Sequence, residues 1–189
     1  MTRRIGLFGG SFNPPHVAHQ MVCLWALSTQ QVDEVWLIPC FEHAFAKRLA
    51  AFEHRLAMCE LAAAVLPRDR VKVSDVEARV GGTSRTIVTV ERLVEEHPEA
   101  HFALLMGADL LAETGSWYRF EDLRQMVELV VVGRPGFASA GQGGEAQGVS
   151  LAELSSSDVR RRVAAGEDVS ALLPASVRAY IESHGLYQD

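Results

Sequence analysis

Two histidines, His16 and His19, stand three residues apart shortly after the glycine pair Gly9-Gly10. The stretch Ile5-Gly6-Leu7-Phe8-Gly9-Gly10-Ser11-Phe12-Asn13-Pro14-Pro15-His16-Val17-Ala18-His19 reads as a short buried strand, a glycine turn, then a helix entered with both imidazoles. A turn of that kind presents backbone N–H groups to an anion. In Gly9-Gly10-Ser11-Phe12 the two glycines let the main chain come close to a ligand without Cβ obstruction. Histidines at i and i+3 share one helical face. They could donate to phosphate oxygens and stabilise charge on a leaving group, or they could simply cap and pack the helix. The chemistry suggested is that of a nucleotide phosphate. The turn is neither a Walker loop nor a G-x-G-x-x-G fingerprint.

Other candidates lie further along. Lys47, in His43-Ala-Phe-Ala-Lys47-Arg48, could reach a phosphate as a point charge, or be a solvated surface lysine. Leu154-Ser155-Ser156-Ser157-Asp158-Val159-Arg160 is a serine-rich helix start with an arginine one turn in, which suits an anion as well as an ordinary cap. Gly107-Ala108-Asp109 with Trp117 supplies a carboxylate for ribose hydroxyls and an aromatic face for a heteroaromatic ring, although Trp117 could equally be core.

The elements that would position these groups alternate. Ile5–Phe8, Val35–Ile38, Val71–Val76, Phe102–Met106 and Leu129–Val132 read as strands, and Val17–Thr29, Phe52–Leu66, Thr86–Glu96, Ser156–Ala165 and Pro174–His184 as helices. In the first helix Met21, Leu24, Trp25 and Ser28 fall along one side. Unbroken apolar strands suggest burial on both faces. The order predicts an α/β, Rossmann-like, doubly wound and mostly parallel sheet with a small C-terminal helical portion, about 150–189, inside one domain spanning 1–189. Ligands of such sheets sit at strand carboxyl ends. Residues 136–148 read as a glycine-rich surface loop.

Composition narrows the classes. The 189 residues are 48% hydrophobic and 22% charged, with a net charge of −6. That argues against nucleic acid or a membrane surface as partner. No run reads as a signal peptide or a span. Cys23, Cys40 and Cys59 are widely spaced and fit small buried hydrophobes in a reducing cytoplasm rather than a disulfide framework.

Together these motifs resemble the nicotinate/nicotinamide mononucleotide adenylyltransferases of the nucleotidylyltransferase superfamily. The family pattern G-x-F-x-P-x-H-x-x-H stands here as Gly10 to His19, I-S-S-T-x-I-R as Leu154 to Arg160, and G-A-D with a later tryptophan as Gly107-Ala108-Asp109 and Trp117. Ser84-Arg85-Thr86 opens the matching helix, and Arg134 also matches; the likeness runs over roughly residues 4–187. It implies a transfer between ATP and a pyridine mononucleotide, with Mg²⁺ sharing the phosphate charge. By resemblance His16, His19, Lys47 and Arg160 would hold the triphosphate and departing pyrophosphate. Gly9, Gly10, Ser11, Phe12, Arg134, Ser155, Ser156 and Ser157 would lie on the ATP side. Arg85, Thr86, Gly107, Asp109 and Trp117 would line the pyridine nucleotide, Trp117 stacking on its ring.

The chain departs from the pattern at some positions. Ala18 stands where the family usually has glycine, and its methyl would narrow the approach of the phosphates. Arg85 and Val88 replace a usual tyrosine and aspartate, and Arg85 could pair with a nicotinate carboxylate. Phosphopantetheine adenylyltransfer, or a low-turnover nucleotide sensor on the same scaffold, are the alternatives, and a homo-oligomer is left open.

Overall fold

The structure, a computed structural model, describes residues 3–43, 49–111, 113–133 and 154–188, with Asp109 described by its backbone alone. Five strands form one sheet: β1 (Arg4–Gly10), β2 (Glu34–Pro39), β3 (Val71–Val73), β4 (His101–Gly107) and β5 (Glu128–Val132). Their order is β3-β2-β1-β4-β5 and every pairing is parallel. The chain winds outward from β1 to one edge, then restarts at β4 on the other side. β1 and β4 therefore flank a topological switch point, where their carboxyl ends diverge and leave a crevice.

The apolar strands serve both faces, as parallel strands covered by helices must. All six residues of β2 are buried. Val35 and Leu37 point into one cluster with α1 (Val17–Ser28) and α2 (Phe52–Ala63). Trp36 and Ile38 point into the other, with α4 (Thr86–Glu96) and α6 (Phe120–Met126). Close packing leaves β1 no room for a side chain at Gly6, where a Cβ would sit 3.0 Å from Leu105 Cδ1. A third cluster joins Met58 and Ala62 of α2 to Val159 of α7 (Ser156–Ala164) and to Val177 and Ile181 of α8 (Ala175–Ser183). That cluster fixes the C-terminal helices against the sheet's helical layer.

Several expectations need correction. The expected side of α1 is wrong: Met21 is 44% and Leu24 46% exposed, while Ala18, Val22, Cys23, Trp25, Ala26 and Leu27 are buried. With apolar residues on most of its circumference, α1 carries no unique stripe in its sequence. β3 stops at Val73, and Val76 to Val80 form a short helix, α3. Asp75 precedes it and Gly81, at φ 75°, ends it, so the alternation read through Val76 was accidental. The single-turn helix α5 (Ala108–Leu111), the 3-10 turn Thr114–Ser116 and α6 carry too few residues for a periodic signal. Residues 136–148, read as a loop, lie outside the described residues.

Candidate nucleotide site

The crevice at the switch point is a cavity of about 520 Å³. Its floor is the end of β1, with Gly9, Gly10 and Ser11. One wall comes from β2 and its exit, with Ile38, Cys40 and His43, and the opposite wall from β4 and the turn beyond, with Met106, Trp117 and Tyr118. Ser84, Arg85, Thr86 and Thr89 close it from the start of α4. Among the described residues other than its chain neighbours, no heavy atom lies within 4 Å of the point where a Cβ on Gly9 would stand. The main chain at Gly9 is thus open to the cavity, as a close-approach site for a ligand requires. At Gly10 the same Cβ would meet the Phe12 ring at 3.3 Å.

Phe12 takes a left-handed backbone, φ 44°, and its ring is buried. It stands edge-on to His19, centroids 4.9 Å apart, and to Phe8 at 5.6 Å. Only its main chain is therefore available to a ligand. This left-handed turn lies between the end of β1 and the entry to α1 at His16.

At that entry the His16 backbone N–H donates to His19 Nδ1 at 3.0 Å, and the two rings stack with centroids 3.8 Å apart. Capping and anion binding are compatible here. A neutral imidazole that accepts at Nδ1 carries its proton on Nε2. The cap therefore fixes the His19 tautomer that can donate at Nε2. His16 is buried at 2% exposure, and His19 is half-buried.

The start of α7 is bound to the same turn. Ser155 caps the helix by accepting from the Asp158 N–H at 3.1 Å, and Ser156 Oγ donates to the Pro14 carbonyl at 2.9 Å. Arg160 donates through one nitrogen to the Asn13 carbonyl at 2.8 Å and through another to Ser157 Oγ at 3.2 Å. Asn13 is buried, and its Oδ1 accepts from the Ala50 N–H at 3.0 Å and from the Tyr187 hydroxyl at 2.8 Å. Residues from three other regions of the chain, at Ala50, Ser156 to Arg160 and Tyr187, thus converge on one turn. Ala18, expected to crowd a ligand, is 7% exposed and packs in the third cluster, with Met58 and Val159.

On the other side of the cavity the Arg85 guanidinium lies over the Tyr118 ring, 4.5 Å from its centroid. Among the described residues no carboxylate pairs with Arg85. Trp117 stands edge-on to Phe120 at 6.0 Å and keeps a surface on the cavity. The structure therefore brings His16, His19, Ser155, Ser156, Ser157 and Arg160 together at one turn, and sets Arg85, Thr86 and Trp117 apart from them on the cavity lining. Gly107 ends β4. Lys47 and Arg134 lie outside the described residues, as does the Asp109 side chain.

Two residues escaped the sequence reading. Arg55 on α2 is 2% exposed. It donates to four carbonyls: Ala50 at 2.9 Å, Ser11 at 3.1 Å, Cys40 at 2.7 Å and Phe41 at 3.2 Å. It clamps the exit of β1 to the exit of β2. Glu77 on α3 lines the cavity, where burial raises its carboxyl above the usual range against the donors that hold it. A charged residue inside a helical pattern gives no sign that it faces inward, so neither was foreseeable from periodicity. Cys40 also departs from its reading as a buried hydrophobe, since it is partly exposed and lines the cavity.

Among the described residues the site offers no metal cage. No group of three or more His, Cys, Asp or Glu side chains among the described residues could hold an ion. The site is instead rich in N–H donors, suited to phosphate oxygens that could themselves carry a cation. Among the described residues no helix is long and apolar enough to cross a membrane.

Comparison with known proteins agrees with this geometry. Residues 7–162 match the family model described as cytidylyltransferase-like. A relative from Anaeromyxobacter dehalogenans, named as a nicotinate-nucleotide adenylyltransferase, is 47% identical over 190 residues, covering 98% of this chain and 97% of its own. One from Myxococcus xanthus with the same name is 39% identical, covering 97% and 94%. Among solved structures, a Plasmodium falciparum nicotinic acid mononucleotide adenylyltransferase complexed with NaAD superposes with a TM-score of 0.84 at 22% identity, covering 98% of this chain and 97% of its own.

Proposed function

The chain belongs to the cytidylyltransferase-like family and, within it, to the nicotinate-nucleotide adenylyltransferases, and from that membership we propose that it joins ATP and nicotinate mononucleotide into the adenine dinucleotide, releasing pyrophosphate. The observation that carries the reading is the cavity at the β1/β4 switch point. It has an open glycine floor on one side and Arg85, Thr86 and Trp117 on the other.

The mononucleotide phosphate attacks the α-phosphorus of ATP in line. A P–O bond forms there as the bond to the β-phosphate oxygen breaks, and pyrophosphate departs with the electron pair. The nucleophile is already an anion, so the protein needs no strong base. Its task is positioning and charge stabilisation. The turn at Gly9, Gly10 and Ser11 receives phosphate through backbone N–H groups. His19 donates from Nε2, and His16, Lys47 and Arg160 supply further donors to the triphosphate and the leaving group. Arg134 and Ser155 to Ser157 serve the ATP side. Mg²⁺ would be held by the triphosphate oxygens beside His16, His19, Lys47 and Arg160, and when bound would supply neutralisation of phosphate charge. Asp109 and Gly107 meet the ribose, and Trp117 stacks on the pyridine ring.

Arg85 offers the counter-charge for the acid form of the base. Its guanidinium is already oriented by Tyr118, so less side-chain freedom is lost on pairing with a carboxylate. The same reading has the enzyme working in the cytoplasm, where its three free thiols stay reduced.

The decisive experiment is pyrophosphate release with ATP and Mg²⁺, offering nicotinate mononucleotide, nicotinamide mononucleotide and phosphopantetheine in parallel. Turnover with the nicotinate form, and a smaller acid-to-amide preference in Arg85→Ala, is the expected result. Turnover with phosphopantetheine alone, or ATP binding without release for any acceptor, would overturn the reading.

A further inference from the structure

Between the two halves of the cavity lies a carboxylate with no part in the transfer just described. Glu77 Oε2 accepts from the Phe41 N–H at 3.0 Å and from Ser84 Oγ in a short contact, and Oε1 accepts from Thr89 Oγ1 at 3.1 Å. Ser84 Oγ in turn accepts from the Phe41 N–H at 2.9 Å. The Phe41 peptide is held from both ends, because its carbonyl receives Arg55, which also holds the Ser11 carbonyl. A continuous chain of contacts therefore runs from the phosphate turn at Ser11 through Arg55, Phe41 and Glu77 to Ser84 and Thr89. Those last two residues bracket Arg85 and Thr86 at the start of α4. The main chain supports the same junction, since the Ser84 N–H donates to the Glu42 carbonyl at 2.8 Å.

We propose that Glu77 is a positioning residue for the pyridine mononucleotide, its carboxylate setting Arg85 and Thr86 at a fixed distance from the phosphate turn. The proposal rests on the functional reading above. A carboxylate with two acceptor oxygens can serve three donors from two different segments, which no apolar residue of the same size could do. Three donors of the protein hold the carboxylate, so Glu77 organises the wall that it also lines. Because Arg55 and the floor of β1 stand on the opposite side of the linkage, its loss loosens the α4 end and leaves the phosphate turn in place.

The test is calorimetric titration of the full chain with nicotinate mononucleotide and, separately, with a non-hydrolysable ATP analogue. Glu77→Ala is expected to weaken the mononucleotide by about tenfold, the worth of one to two lost hydrogen bonds, and to leave the ATP analogue within about threefold. Glu77→Gln restores most of the affinity. Its Oε1 can accept from Phe41 and Ser84, and its amide can donate to the Thr89 hydroxyl. Should Glu77→Ala fail to fold, Ser84→Ala and Thr89→Val each remove one donor and are expected to weaken the mononucleotide selectively by a few-fold. Equal weakening of both ligands, no weakening, or a Gln variant no better than Ala would overturn the proposal alone. A wild-type chain that binds no pyridine mononucleotide would overturn the functional reading and this proposal with it.

Discussion

Arg160 donates to the carbonyl oxygen of Asn13 at 2.8 Å, joining α7 to the turn after β1 across 147 positions of sequence. The contact spends one guanidinium nitrogen on the backbone and a second on Ser157 Oγ. An arginine held at two points is pre-organised, so its remaining N–H groups meet a phosphate with less loss of side-chain freedom. Arg160→Lys keeps the charge and loses the fork. A turnover roughly 10- to 100-fold below wild type, from loss of one or two charge-assisted bonds, is expected in a pyrophosphate-release assay. Turnover within threefold of wild type would mean that Arg160 serves the fold alone.

His19 can be divided into its two nitrogens. Asn at this position keeps an acceptor where Nδ1 receives the His16 N–H and removes the donor at Nε2. His19→Asn should therefore retain its melting temperature within a few degrees while kcat falls by about 100- to 1000-fold, as when one transition-state donor is lost elsewhere. A variant that loses stability and activity in parallel would assign His19 to capping.

Arg55 gives a stability prediction. Arg55→Met fills a similar volume but leaves the carbonyls of Ala50, Ser11, Cys40 and Phe41 without their donor. Each buried unsatisfied polar group costs roughly 1–3 kcal/mol. With partial relaxation, a loss of at least about 3 kcal/mol in urea unfolding is expected. A loss below about 1 kcal/mol would show that water replaces the guanidinium without penalty.

Glu34 carries the pH dependence. Burial would raise its carboxyl, but hydrogen bonds from Trp36 Nε1 and Lys72, and the charges of Lys72 and Arg3, bring it below the usual range. Its proton affinity is lower folded than unfolded. Ionised Glu34 therefore stabilises the fold above the unfolded-chain value of about 4.3, and this contribution fades as pH falls through the lower folded value. Glu34→Gln should melt below wild type at neutral pH, with the gap closing as pH falls below the usual carboxylate range. A gap independent of pH would point to shape rather than charge.

How far the sequence reached depends on what each element advertises. Four strands were legible because continuous apolar runs between turn residues admit few other readings, and the end of α4 was legible because Pro98 follows it closely. The glycine turn was legible from residue type. The partners of that turn were not, since Asn13, Ala50, Arg160 and Tyr187 are neighbours only after four crossovers have closed. Arg55 and Glu77 were hidden for a related reason. A buried charge looks like a surface charge until the carbonyls or hydroxyls that satisfy it are brought alongside. Met21 and Leu24 erred in the opposite direction, as apolar residues left in solvent by a helix with more apolar surface than the sheet could cover.

The three thiols divide in a useful way. Cys23 and Cys59 are both 0% exposed, and burial pushes the Cys23 thiol up to about 12 and Cys59 higher still. Cys40 alone opens on the cavity, its thiol raised more modestly by burial against the nearby charge of Arg55. An alkylating fluorophore applied to the folded chain would therefore mark one position, slowly at neutral pH and faster as pH rises. Its emission would then report when the crevice fills.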